Sequence, residues 1–154
     1  MQIQIDSREK AKAITKILAE FERRNIQSFV SKLYVGDYMS LDNPRLVVDR
    51  KQNLSEVYAN LCHDKKRFAA EAERASAAGI RLIILCEHGG KIKTLDDVAQ
   101  WQNPQLKKNP YAWDGKCLRH NMRIFEKRYG IRFTFCDKNS TGRRIIELLN
   151  GDYR

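Results

Sequence analysis

Between Arg81 and Glu87 the chain reads Leu82-Ile83-Ile84-Leu85-Cys86, an apolar run with no polar alternation. A strand with one wet face alternates in character, whereas a strand apolar at every position has to be covered on both faces. The run is far shorter than the roughly 20 residues of a membrane-spanning helix, and the sequence around it supplies the covers. Ile14, Ile17, Leu18 and Phe21 recur at helical spacing, as do Leu54, Val57, Tyr58 and Leu61. Further helices are expected over about 64–78, stopped by Gly79, near 94–101, near 115–129 and near 141–149, with a strand at 131–135. A buried strand between helical layers defines an α/β architecture, a mixed β-sheet flanked by helices.

The remaining strands read from shorter signals. Residues 2–6 form the first, and Asp6-Ser7-Arg8-Glu9 has the form of a capping box for the helix that follows. Segments 27–34, 37–42 and 45–51 are strand candidates, and with turns at Gly36-Asp37 and Asp42-Asn43-Pro44 they suggest an antiparallel meander. Asn53-x-x-Glu56 is a second capping box, ahead of the Leu54–Leu61 face. With no repeat, linker or low-complexity tract, residues 1–154 are expected to form one domain. The first residues lack the basic and apolar regions of a signal peptide. Cys62, Cys86, Cys117 and Cys136 make no CxxC pair, so free thiols in a reducing cytoplasm are expected rather than a zinc site.

Lysines and arginines number 29 against 19 acids, a net charge of +10. Such a field attracts a polyanion through phosphate contacts and counterion release, although a solvated surface gives the same count. Lys65, Lys66 and Arg67 open a helix, where positive charge opposes the dipole, and are candidate DNA contacts. So are Lys107 and Lys108, which precede Tyr111 and Trp113; the two tryptophans, Trp101 and Trp113, read as core anchors. His63, His88 and His120 are isolated and receive no role. Ile145, Ile146, Leu148 and Leu149 give the last helix a broad apolar surface, part of which is available for a homodimer.

The chemistry concentrates in Gly36-Asp37 and Val47-Val48-Asp49-Arg50-Lys51. Asp37 starts a strand candidate, and Asp49 and Lys51, two apart, share a face. Two carboxylates and an ammonium then converge at one edge of the sheet. Oxygen ligands suit a hard divalent ion, which polarises a phosphate and acidifies water, and Lys51 can stabilise charge on the reacting phosphate. This is the D…(D/E)xK pattern of restriction-endonuclease-like nucleases, although a turn aspartate and a charged strand end would read the same way.

A longer set of motifs resembles one family. Ile5-Asp6-Ser7-Arg8-Glu9, Leu33-Tyr34-Val35-Gly36-Asp37-Tyr38, Val48-Asp49-Arg50-Lys51 and Lys65-Lys66-Arg67-Phe68 with Glu71 resemble, in order, the "DSRE", "L-x-x-G-D-Y/F", "V-E-R-K" and basic "G-R-L/F" elements of the xeroderma pigmentosum group F-type nucleases. The resemblance is strongest over residues 3–90. It implies a restriction-endonuclease-like fold and a magnesium-dependent DNA endonuclease, with manganese as a substitute, cutting flaps, forks or junctions in repair or recombination. Asp37, Asp49 and, as an extra carboxylate, Asp6 would hold metal. Lys51 would be the catalytic lysine, and Arg50 would contact phosphate or brace the site. Arg8, Glu9, Glu56 and Arg67 are secondary candidates.

Two positions depart from the pattern: Asp49 stands where the family has glutamate, and Ser55 where it has aspartate, with Glu56 beside it. No tandem helix-hairpin-helix is visible, so the chain resembles a minimal, phage-like form acting in a bacterial cytoplasm, with DNA grip from its own surface, a second copy or a partner protein. A non-catalytic DNA-binding subunit is the alternative, and an RNA substrate a further one.

Overall fold

The structure, a computed structural model, describes residues 1–153. Six strands, β1 (Gln2–Ile5), β2 (Gln27–Val30), β3 (Tyr38–Ser40), β4 (Asn43–Lys51), β5 (Arg81–Glu87) and β6 (Arg132–Cys136), form one sheet in the order β2-β1-β3-β4-β5-β6. Five α-helices cover it: α1 (Thr15–Arg23), α2 (Leu54–Cys62), α3 (Lys65–Ala77), α4 (Gly115–Tyr129) and α5 (Thr141–Leu149).

The non-alternating character of β5 follows from its place. Parallel β4 and β6 flank it, and both its faces are covered. Leu82, Ile84 and Cys86 pack in the layer of α2, α3 and α4, with Leu61, Phe68 and Leu118. Ile83 and Leu85 pack in the layer of α1 and α5, with Phe21 and Ile145. β4 divides its side chains the same way, Val47 to the first layer and Val48 to the second.

The Leu54–Leu61 face is buried, the first face is buried at Ile14, Ile17 and Phe21 and half-buried at Leu18, with Ile14 in a 3₁₀ turn ahead of α1, and α4 and α5 occupy the expected spans. The cap at α2 forms, with its return bond displaced by one residue: Asn53 accepts the Glu56 amide at 2.9 Å, and Glu56 Oε2 accepts the amide of Gln52, just before the cap, at 2.7 Å. Four expectations need correction. Near 94–101 the chain makes only a 3₁₀ turn, Asp96–Gln100. Asp6 and Glu9 cap no helix; their side chains bond elsewhere, as described below.

The third concerns the meander. β2 ends at Val30 and pairs parallel with β1, so β1-α1-β2 is a crossover unit; only β1–β3 and β3–β4 are antiparallel. The apolar residues at 33 and 35 are buried in a loop, which mimics a strand in sequence. The fourth concerns α5, whose apolar face is consumed internally: Ile145, Ile146, Leu148 and Leu149 are at most 5% exposed.

All four cysteines are free. No helix among the described residues is long and apolar enough to cross a membrane. Because Ile84 is fully buried on the central strand, Ile84→Ala should lower stability by about 2–5 kcal/mol, read as a lower urea midpoint at unchanged slope.

Candidate active site

The register of β3 on β4 assembles the site. Tyr38 lies opposite Val48, which brings Asp37, one residue earlier, beside Asp49. The Asp37 amide donates to the Val48 carbonyl at 2.9 Å, and the Arg50 amide donates to Asp37 Oδ2 at 2.8 Å. The backbone of β4 thus aims the carboxylate. Gly36 makes the approach possible: its φ is +68°, and a Cβ there would stand 2.4 Å from Val47 Cγ1. Glu71 of α3 accepts the Gly36 amide at 3.0 Å, tying the turn to the helical layer.

Asp49 and Lys51 face that same layer. Lys51 Nζ lies 3.1 Å from Asp49 Oδ2 and 5.3 Å from the centre of the Phe68 ring. Burial would strip the lysine of its proton, but Asp49 more than offsets this and keeps the ammonium charged. Asp37 behaves in the opposite way. Burial and then the neighbouring charge of Asp49 push its carboxyl well above the ordinary aspartate range, with the Arg50 amide opposing.

Asp49 Oδ2 is buried and has no hydrogen bond, the ammonium lying near it but off the bonding direction. A buried carboxylate oxygen without an aligned hydrogen bond, beside a second carboxyl that resists ionising, is a pair suited to a divalent cation. Among the described residues no group of three or more His, Cys, Asp or Glu side chains could hold a metal. Two carboxylates still suit magnesium, which keeps several waters and is completed by substrate phosphate.

The other candidates separate by task. Asp6 is fully buried and engaged: Oδ1 accepts the Leu33 amide at 2.8 Å, and Oδ2 accepts the Arg8 amide and, at 2.6 Å, Arg8 Nε. Both of its oxygens are thus engaged, one of them in fixing the loop at Leu33. Arg8 pairs with it while leaving much of its own side chain in solvent. Arg50 lies on the opposite face of β4 from Asp49, 6% exposed, bonded to Glu9 at 2.8 and 3.3 Å and to Glu87 at 2.6 Å. It braces the site and has no opening to a phosphate, which corrects that half of the expectation. Glu9 also accepts from the Tyr38 hydroxyl at 2.7 Å.

Glu56 caps α2 and borders, with Arg67, Phe68 and Glu71, a polar recess of about 180 Å³ reaching Lys51. Lys65, Lys66, Arg67, Lys107 and Lys108 are exposed; of these only Arg67 borders that recess. Trp101 and Trp113 pack on Tyr58, as core anchors do. Sequence reasoning missed Glu87, whose signal was an acid closing an otherwise apolar buried strand. It also missed the bracing roles of Glu71 and Tyr38, which have no local signal. A larger recess, about 390 Å³, lies along β6, but its acids are already taken: Asp96 pairs with Arg123, and Glu126 accepts the Phe133 amide. The smaller recess is the one that reaches Lys51 of the carboxylate–lysine cluster.

An α/β sheet carrying facing carboxylates and a lysine on adjacent antiparallel strands defines the restriction-endonuclease-like class. Within it, the model of the ERCC4 domain matches residues 5–138, and the chain belongs to that family. The match runs well past residue 90, where the motif resemblance faded.

Among solved structures the chain is similar to XPF from Aeropyrum pernix, at 22% identity and a TM-score of 0.68, over 100% of this chain and 66% of that one. It is also similar to XPF from Aeropyrum pernix in complex with DNA, at 22% identity and a TM-score of 0.67, over 97% of this chain and 63% of that one. The chain thus spans just under two-thirds of the length of these structures. A comparison with curated proteins finds no match.

The raised Asp37 carboxyl fixes a sign. Its folded-state pKa lies above the unfolded value, so its contribution is present at low pH and is lost as pH rises through the folded value. Asp37→Asn keeps an acceptor for the Arg50 amide and removes that loss. In EDTA the variant should melt higher than the parent by roughly 2–4 °C, the gap widening with pH and narrowing on addition of magnesium. A gap that closes as pH rises would contradict this electrostatic account.

Proposed function

We propose that this chain is a divalent-metal-dependent endodeoxyribonuclease that hydrolyses phosphodiester bonds in branched DNA (flaps, forks or junctions) during repair or recombination. The observation that carries the reading is the Asp37–Asp49 pair, with a buried oxygen on Asp49 that makes no aligned hydrogen bond and lies 3.1 Å from the charged Lys51. Membership of the ERCC4-domain family, and the fold shared with an XPF bound to DNA, support DNA as the substrate.

Asp37 and Asp49 would hold magnesium, with manganese as a substitute. When bound, the ion would draw charge from the scissile phosphate and favour ionisation of the attacking water. Lys51 supplies a fixed positive charge at the same point. Tethered to Asp49 and packed on Phe68, it is pre-organised to meet negative charge that grows on the phosphate oxygens as water adds. Asp49 in place of the family's glutamate withdraws the ligand by one methylene, and the Glu71–Gly36 and Arg50–Asp37 bonds keep the opposite carboxylate close. The net charge of +10 draws the polyanion in. A second copy or a partner protein would extend the grip on duplex arms.

Labelled duplex, 3′-flap, splayed-arm and four-way-junction DNA, incubated with magnesium, manganese or EDTA, test this directly. The wild type should cut branched DNA only with metal. Asp49→Asn and Lys51→Ala should each lose at least about 100-fold in rate while still binding. Binding by all three proteins with no cutting under any metal would overturn the reading in favour of a non-catalytic DNA-binding subunit.

A further inference from the structure

Tyr34 is presented in a way that neither the core nor the carboxylate site explains. Its ring is 62% exposed, while its neighbours Leu33 and Val35 are 5% and 1% exposed. The backbone is pinned on both sides: the Leu33 amide donates to buried Asp6 at 2.8 Å, and the Gly36 amide donates to Glu71 at 3.0 Å. A large aromatic is thus held out to solvent from a rigid segment, three residues before Asp37. A single exposed ring is ordinary in itself. Its surroundings are not, because they are cationic.

Arg74 of α3 sits against the ring, 6.0 Å from its centre. Arg67, Glu71 and Arg74 recur at i, i+4 and i+7 and share a stripe of α3, with Arg67 and Arg74 about 10 Å apart along the axis. Arg67 borders the Lys51 recess, Glu71 braces the Asp37 turn, and Arg74 reaches Tyr34. Arg8, on the same side, feels the charges of both Asp37 and Glu71. A stacking surface three residues from Asp37 and a helix stripe of arginines that begins at the Lys51 recess therefore lie side by side, the combination that binds a single nucleic-acid strand: cations along its backbone and an aromatic under its bases.

We propose that Tyr34, backed by Arg74, is a stacking platform for an unpaired base next to the scissile phosphate, and that it gives this chain its preference for branched over continuous DNA. This rests on the nuclease reading and adds the element that selects the substrate. In a continuous duplex every base is already stacked and has no free face to offer the ring, whereas a strand leaving a branch has one. Stacking uses the ring and not the hydroxyl, so phenylalanine should serve equally well.

The test uses a 3′-flap with 2-aminopurine at the first unpaired position and an unlabelled linear duplex, with wild-type protein, Tyr34→Ala, Tyr34→Phe and Asp49→Asn. Binding is followed in EDTA and cleavage in magnesium. Wild type, Tyr34→Phe and Asp49→Asn should quench the 2-aminopurine. Tyr34→Ala should lose the quench and bind the flap about tenfold more weakly, with duplex binding and melting temperature unchanged. Its flap cleavage should fall by a similar factor.

Loss of the quench in Tyr34→Ala, with no cutting by the wild type, would uphold the platform and remove the nuclease reading. Metal-dependent cutting by the wild type, with flap-to-duplex ratios unchanged in Tyr34→Ala, would overturn the platform alone. So would a Tyr34→Ala variant that binds DNA as the wild type does but sediments differently, which would make the ring a contact between copies.

Discussion

The buried guanidinium of Arg50 connects the parts of this structure that have to agree. At 6% exposure it would be costly without partners, and it has two: Glu9, in the segment between β1 and α1, and Glu87, at the end of β5. Burial alone would weaken its hold on its proton, and Glu9 and Glu87 more than restore it. Losing one partner of such a pair typically costs about 3–5 kcal/mol, so three separate stretches of chain are held to one register. The main-chain amide of the same residue holds Asp37. Strand alternation then sends Asp49 and Lys51, its neighbours on either side, to the opposite face. One residue on one strand therefore fixes the second carboxylate from its backbone, clamps the sheet from its side chain, and leaves the reactive groups where a recess can form.

That recess is built under tension, and the tension is electrostatic. Asp49 has a buried oxygen with no aligned hydrogen bond, and Asp37 gives up its proton reluctantly. A protein selected for stability alone would not put two aspartates together there. The arrangement is the ordinary trade of an active site, where a group is kept in surroundings that suit a bound state better than the free one. Lys51 relieves only part of the strain, since its ammonium is near Asp49 without forming an aligned hydrogen bond.

The sequence disclosed the parts of this account that depend on local pattern. The unbroken 82–86 run announced a doubly covered strand, helical spacing announced α1 and α2, and Asn53-x-x-Glu56 announced its own cap. The carboxylates and the lysine were also legible, because alternation along a strand places Asp49 and Lys51 on one face whatever their surroundings. What failed depended on long-range partners. Asp6 and Glu9 look like cap residues from spacing, yet Asp6 binds a loop amide 27 residues away and Glu9 binds Arg50, 41 residues away. The parallel place of β2 was hidden because Leu33 and Val35 are buried in a loop and extend the strand signal. Glu71 and Glu87 are braces only because the fold brings them to Gly36 and Arg50.

The central claim is that Asp37 and Asp49 share one site, in which a divalent ion replaces a proton. Calorimetric titration of manganese into the protein, repeated at one pH in buffers of different ionisation enthalpy, measures both events together. The account predicts binding that releases protons, release that diminishes as pH rises through the Asp37 value, and loss of binding in Asp49→Asn. Manganese binding that releases no proton below that value, or that survives intact in Asp49→Asn, would contradict it.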